Sequence, residues 1–486
     1  MAGRSASTSA VMLRMRPARD GRWLARRGLA VVAALALGYA VTVAPGNRLL
    51  PAAAGLGALG VLVLVAGRFV PRPHPGIGLA VLAAAIPLRS IAGGAISGAN
   101  IGLTEPAALL ALFWLVAYRR PGALPLPRML VAPGLFLGFA AISAAWAIDS
   151  SQSFKELAKW GQAAIALFAA MDLARCPSDL KPVAVVAGVA LAGEVVLATA
   201  QAALGLGPDS FRVGGLTRAY GTFEQPNPFA GYLVLQLPFA LAGALIWNGK
   251  WRWLALGVAA LAMMGIVLSL SRGAWLGGVV GMLVTGWLAA GMSRGLLKWA
   301  GLVVAIGLAF FLLARGSGVV PATAGTILSG ERDLVELASN SGSADFAVMQ
   351  RVAFWVAGAR MVADRPLTGV GLGNFDEGYP DYNIGIWDES LGHAHNFYLN
   401  LAAEAGLISA GLFVVFLGGV MLRGLRAGGR APASRVALIG ATGSLTAFAA
   451  HSLVDSVFVG GLGLILGVAA GLILALSDRN GVAGRR

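Results

Sequence analysis

LALGVAALAMMGIVLSL, residues 254–270, is followed after Ser271-Arg272-Gly273-Ala274 by WLGGVVGMLVTGWLAAG, residues 275–291. Neither run carries a charge, and each reaches the length at which a helix begins to cross the hydrocarbon core of a bilayer, about 17 to 25 residues. The pair reads as two membrane spans joined by almost no loop.

The pattern repeats outward in both directions. Toward the N-terminus, comparable runs occupy residues 29–44, 50–66, 77–91, 103–118, 130–147, 157–173, 183–204 and 229–247. Toward the C-terminus they occupy 296–314, 397–422, 436–451 and 457–476. Several fall short of the ~20 residues of a perpendicular span, so the expected fold is an all-α polytopic transmembrane bundle of about 12 to 14 spans. Composition agrees. The 486 residues are 57% hydrophobic and 12% charged, with mean hydropathy +0.76, which excludes an ordinary soluble domain. The 68 glycines suit helices that approach closely in lipid. The lone cysteine, Cys176, excludes an intrachain disulfide and a thiolate metal cluster.

Charge sets the orientation. Arg14, Arg16, Arg19, Arg22, Arg26 and Arg27 precede the first run. Arg68 with Arg72, Arg119 with Arg120, Arg175 with Lys181, Lys250 with Arg252, Arg294 with Lys298, and Arg423, Arg426, Arg430 and Arg435 fall in every second connection. By the positive-inside rule these connections and both termini are cytoplasmic. The N-terminal segment is too rich in arginine, and too well followed by further spans, to read as a cleaved signal. The net charge of +15 is dispersed over loops rather than gathered on one face with aromatics, so it does not indicate nucleic acid.

One connection differs from all the others. Residues 315–395 hold ten acidic side chains against five arginines, as expected of a loop outside the cytoplasm. The organisation is therefore a basic tail at 1–28, an N-terminal transmembrane bundle at 29–314, a large extracytoplasmic loop at 315–395, C-terminal helices at 396–477 and a tail at 478–486. Within the loop, residues 354–361 are expected to form an amphipathic helix lying on the membrane. Its aromatics beside carboxylates suit either a sugar or a plain interfacial surface.

Three arginines run against the positive-inside trend, and two readings stand for each. Arg272, at the junction of two spans, either snorkels to headgroups or offers its planar fork of donors to a phosphate. Arg351 is a solvated charge or a second phosphate ligand. Arg218 precedes a Pro226-Asn227-Pro228 run that opens the next span, so its segment has a structural role as well. The loop ends in His393-Ala394-His395-Asn396. An imidazole at a membrane boundary either caps a helix or moves a proton near neutral pH. A His-x-His metal site needs further ligands, and no carboxylate or cysteine set is obviously placed to supply them.

Taken in order, Tyr220-Gly221-Thr222-Phe223-Glu224-Gln225-Pro226-Asn227, Ser271-Arg272-Gly273-Ala274-Trp275, Arg351 with Asp364-Arg365-Pro366-Leu367-Thr368-Gly369-Val370-Gly371-Leu372-Gly373-Asn374-Phe375, and His393-Ala394-His395-Asn396-Phe397-Tyr398-Leu399 resemble the O-antigen ligase and O-antigen polymerase family. Gly406 lies ten residues beyond Asn396, as in the family pattern. Ser409 stands where ligases more often have Gly, Thr or Tyr. The resemblance implies a GT-C-like membrane glycosyltransferase of the cytoplasmic (inner) membrane. Such an enzyme moves a glycan from a polyprenyl (undecaprenyl) diphosphate carrier to a glycan or glycolipid acceptor, with no metal or other cofactor. His395, Arg272 and Arg351 are then the expected catalytic residues. Arg218, Asn227, Asn374, His393 and Asn396 are the expected substrate-binding residues.

The chemistry asks for the same parts. A departing lipid diphosphate needs its growing charge neutralised, which Arg272 and Arg351 can do. The attacking hydroxyl needs a base, for which His395 is suited. One displacement inverts the anomeric centre, whereas a covalent route needs a carboxylate that cannot be nominated among the ten. The rival is a lipid-linked oligosaccharide flippase or another transporter, but the single late loop breaks the two-fold repeat such proteins often show.

Overall fold

The computed structural model describes residues 76–88, 94–96, 99–101, 104–118, 127–176, 179–291, 343–384, 386–427 and 434–477. The tails, the expected spans at 29–44, 50–66 and 296–314, and loop residues 315–342 lie outside them.

The described residues are mainly helical. Helix α1 is Ile77–Ala85, followed by a hairpin of β1 (Gly94–Ile96) and β2 (Ala99–Ile101) and then α2 (Thr104–Tyr118). The run expected to span 77–91 is thus only nine residues of helix. Pro87, which lacks a backbone N–H and disfavours helix in the residue before it, lies just beyond the helix end. Helix α3 (Val131–Ser143) turns at a corner into α4 (Ser150–Leu173), capped by Asp149, whose side chain accepts from Ser151 N at 2.7 Å. Helix α5 (Leu180–Leu204) ends on Gly205 at φ 67°, the left-handed stop that glycine adopts without strain. A small hairpin of β3 (Arg212–Val213) and β4 (Leu216–Thr217) leads to α6 (Pro226–Ile246), which starts on proline. Then come α7 (Lys250–Leu268), α8 (Arg272–Ala289), α9 (Ser343–Asp364), the single turn α10 (Phe375–Gly378), α11 (Phe397–Ala427), α12 (Arg435–His451) and α13 (Gly463–Ser477).

Four of these, α5, α6, α7 and α11, are long and apolar enough to cross a membrane; Thr104–Val116, Arg128–Ser143 and Gly463–Ser477 are shorter apolar helices. Close backbone approach holds the centre. Gly273, Gly277 and Gly281 recur on one face of α8 against α12. A Cβ on Gly277 would stand 2.8 Å from the Ala447 carbonyl, and one on Gly281 2.8 Å from the Ala447 Cβ. Small residues at four-residue spacing permit this contact.

The helices share one polarity of ends. The start of α11 meets the end of α12 through Phe397 N donating to Ser452 O at 3.0 Å. At the other end Arg435, opening α12, donates to Ala289 O at 2.7 Å, and Arg423 donates to Ser477 Oγ at 2.6 Å. Lys250, Arg252, Arg423 and Arg435 therefore cluster at one end of the bundle. The loop module of α9 and α10 sits at the opposite end.

That module has its own core. Val352, Phe354, Ala357 and Met361 of α9 pack with Val370, Phe375, Tyr379 and Trp387. The expected amphipathic helix at 354–361 is therefore part of a longer helix, and its apolar face is taken up inside the protein. Buried aromatic and aliphatic area of this size outweighs an interfacial seat.

Candidate active site

His395 sits at the seam between module and bundle. Its backbone is left-handed, φ 48°, and Leu270, one residue before Ser271-Arg272, has φ 53°; these are the two non-glycine residues with positive φ among those described. Each such conformation costs about 1–3 kcal/mol and is kept where the surroundings dictate it. Both strained residues deliver a candidate catalytic side chain.

His395 is held by ring and backbone contacts. Phe354 stacks on it at 5.6 Å between centroids and 12° between planes. The Trp355 indole donates to the His395 carbonyl at 3.3 Å. Its Nδ1 lies 3.1 Å from Oδ1 of Asp455, whose side chain is 6% exposed. Burial pushes the Asp455 carboxyl up, but the hydrogen bond from His395 and the nearby positive charge of Arg351 hold it well below the usual carboxylate range. An ionised carboxylate only accepts, so Nδ1 of His395 is the donor, and in the neutral ring Nε2 is then the atom with a free lone pair.

Asp455 also links to Arg218, through Asn227, and lies near Arg351. Asn227 Nδ2 donates to Asp455 Oδ2 at 2.8 Å, and Asn227 Oδ1 accepts from Arg218 Nη2 at 2.7 Å. Arg218 Nε donates to Ser269 O at 2.8 Å. Arg351 Nη2 stands 4.0 Å from Asp455 Oδ2. Burial lowers the Arg218 guanidinium to about 10, and the nearby charges of Arg351 and Arg272 push the same way while Asp455 opposes them. It stays charged at neutral pH. Arg272 opens α8, and Gly273 beside it lets the His451 ring pack against that first turn.

Arg351 stands within ion-pair reach of Asp455, Arg218 is tied to it through Asn227, and Arg218 feels the charges of both Arg351 and Arg272, so positive charge gathers here as a multiply charged anion would need. His393, His395 and Asp455 each offer a ligand atom, all within 4.8 Å of one another, so they also form a geometric metal candidate. This corrects the expectation that no carboxylate is placed to complete such a set. The surrounding arginines oppose a cation there and favour an anion. His393 Nδ1 accepts from His395 N at 3.1 Å. Burial, then the neighbouring His395 charge, lowers the His393 ring to about 4 and keeps it neutral.

The remaining expected residues divide. Asn396 caps α11: its Oδ1 accepts from Leu399 N and its Nδ2 donates to Leu453 O, both at 3.0 Å. Asn374 is fully buried away from Asp455, accepting from Asp149 N at 2.5 Å and donating to Ser153 Oγ at 3.0 Å. Its polar atoms are spent on tying the loop to the start of α4. Ser409 is buried in α11 beyond Gly406.

Asp455 is not among the residues the sequence singled out. The available signal was an acid in the short connection between two apolar runs, on the same side as the acidic loop. Two buried glutamates are absent from that set as well. Glu194 of α5 accepts from Thr222 N at 2.9 Å and from Thr222 Oγ1 at 2.8 Å, fixing the segment that carries Arg218. Glu404 of α11 accepts from Gly373 N at 2.9 Å.

Residues 257–414 match a family model described as O-Antigen ligase. That stretch contains Arg272, Arg351, Asn374, His393, His395 and Asn396, while Arg218, Asn227 and Asp455 lie outside it. No curated protein matches the chain.

Proposed function

The chain carries a domain of the O-antigen ligase family, and from that premise we propose that it is a membrane glycosyltransferase using a polyprenyl diphosphate-linked glycan as donor. The observation that carries this reading is the pairing of a base-competent His395, fixed by Asp455 at 3.1 Å, with the cluster of Arg218, Arg272 and Arg351.

In the reaction, the acceptor hydroxyl attacks the anomeric carbon as the bond from that carbon to the diphosphate oxygen breaks. The hydroxyl proton passes to Nε2 of His395, and Asp455 stabilises the imidazolium that forms. The electron pair of the broken bond leaves on the lipid diphosphate, whose charge the arginines neutralise. No metal is required. The configuration at the anomeric carbon inverts, and His395 returns its proton to water. Ligase and polymerase differ only in the acceptor.

The positive-inside pattern places the module outside the cytoplasm. A reporter active only there, fused at Gly342, is expected to be active. For the function, purified protein in liposomes, given polyprenyl diphosphate-linked glycan and its acceptor, forms the transfer product and free lipid diphosphate. The His395→Ala protein is expected to form both more slowly by about 10² to 10⁴. Movement of the intact donor across the bilayer without transfer would establish the transporter instead.

A further inference from the structure

Helix α11 is broken. Gly406 has φ 80° and ψ 165°, and a methyl group there would overlap the Leu367 carbonyl. In an unbroken helix the carbonyls of Ala403 and Glu404 would accept from the amides four residues on. Here they accept from the loop instead, from Val370 N and Gly371 N, both at 2.9 Å, and the freed Leu407 N donates to Pro366 O at 2.8 Å. The break is filled by residues 366–371, so the irregular backbone is satisfied inside the protein, as it must be at membrane depth.

The Glu404 side chain completes this joint. It is 6% exposed, and its two oxygens accept from Gly373 N at 2.9 Å and Phe375 N at 3.4 Å. An ionisable group inside a spanning helix is costly and marks a function by default. The segment it grips follows directly on α9, which carries Arg351. The arm of α11 that bears Glu404 begins immediately after His395-Asn396. Glu404 thus joins the element that delivers Arg351 to the element that delivers His395.

We infer that Glu404 is a positioning residue for glycan transfer: it locks residues 366–375 into the break in α11 and so sets the spacing between Arg351 and His395. The inference rests on the proposed function for its catalytic consequence, but the lock itself can be tested without activity.

Gly358 of α9 and Ala394 face each other across this joint. A Cβ on Gly358 would lie 3.6 Å from that of Ala394, inside the ~3.5–4.5 Å range of a disulfide. In a chain carrying Cys176→Ser, the pair Gly358→Cys and Ala394→Cys is expected to close on mild oxidation in native membranes. Adding Glu404→Ala is expected to slow closure several-fold. Glu404→Gln, which keeps one acceptor oxygen, falls between and serves if the alanine protein does not accumulate. Without the cysteines, Glu404→Gln is expected to lower kcat by up to about 10²-fold, the cost of roughly 1 Å of misplacement. The donor KM should change much less, because Arg218 and Arg272 are untouched. Closure at the unsubstituted rate in both Glu404 variants, or unchanged kcat, overturns the inference. If the unsubstituted protein transfers nothing, the proposed function fails while the disulfide rates still judge the lock.

Discussion

The two halves of the site are held by different means. Asn227 and Arg272 open the bundle helices α6 and α8, Arg218 lies in the connection before α6 and Asp455 in the turn after α12, and α8 meets α12 closely through Gly277 and Gly281. Arg351 belongs to a module with a separate core, whose residues 366–371 are seated in the break of α11, and His393 and His395 stand where the chain passes from that module into α11. The reacting groups meet only at the seam: Asp455 from the bundle orients His395 at that passage, and Arg351 reaches back to Asp455. A centre built this way draws its groups from an apolar helical scaffold on one side and a separately cored module on the other.

The largest effect is expected where the halves meet. His395→Ala removes the base and should lower transfer by about 10² to 10⁴, whereas His393→Ala should cost far less, measured as initial rate at equal protein in the membrane. Neither the unsubstituted protein nor the His393 variant should respond to a chelator. Equal losses in the two variants together with chelator inhibition would turn the His393, His395 and Asp455 cluster into a metal site and end the base mechanism.

Next come two arginines, one from each half. Arg272→Ala and Arg351→Ala each remove a charged donor from the leaving group, a loss on the order of 10² to 10³. Lysine at either position should restore only part, because it keeps the charge and loses the fork. Full activity of Arg272→Ala would remove Arg272 from the anion site and leave the anion to Arg218 and Arg351.

The halves also differ in how far the sequence disclosed them. Bundle helices were legible because a bilayer imposes length and apolarity on each run separately: 183–204, 229–247, 254–270 and 275–291 all fall within a few residues of α5 to α8. Pro87 was a readable stop that the apolar run of 77–91 concealed. The module was legible as an acidic loop but not as a fold, since the apolar face of α9 matches a lipid surface as well as the Phe375 and Tyr379 it meets. His395, Arg272, Arg351, Arg218 and Asn227 were nominated separately, and the structure brings them together. Asp455 was missed because what distinguishes it is tertiary: a proton partner 60 residues away. Asn374 shows the reverse error, a polar residue in a matched block whose hydrogen bonds are all structural.

A smaller effect should come from the bundle's own lock. Glu194 holds Thr222, and Gln201 accepts from Gly221 N at 2.8 Å, so together they fix the segment between Arg218 and Asn227. Thr222→Val leaves the arginine in place and removes one hydrogen bond to a carboxylate, worth about 1.5–3 kcal/mol. We expect donor KM to rise by about tenfold with kcat nearly kept. A fall in kcat alone would mean that Glu194 serves the base rather than the anion site.

The smallest effect is a stability that depends on pH through His393. Its folded value is about 4 against an ordinary 6.5, so between these the unfolded chain binds the extra proton. Stability is therefore fully present above about pH 6.5 and declines on acidification, by at most about 2 kcal/mol at pH 5. His393→Gln abolishes this term, so its unfolding temperature in detergent should fall less between pH 7 and 5 than that of the unsubstituted protein. Parallel curves for the two proteins would mean that the ring takes its proton freely in the folded state. The module would then be more open to water at the seam than the burial beside His395 implies.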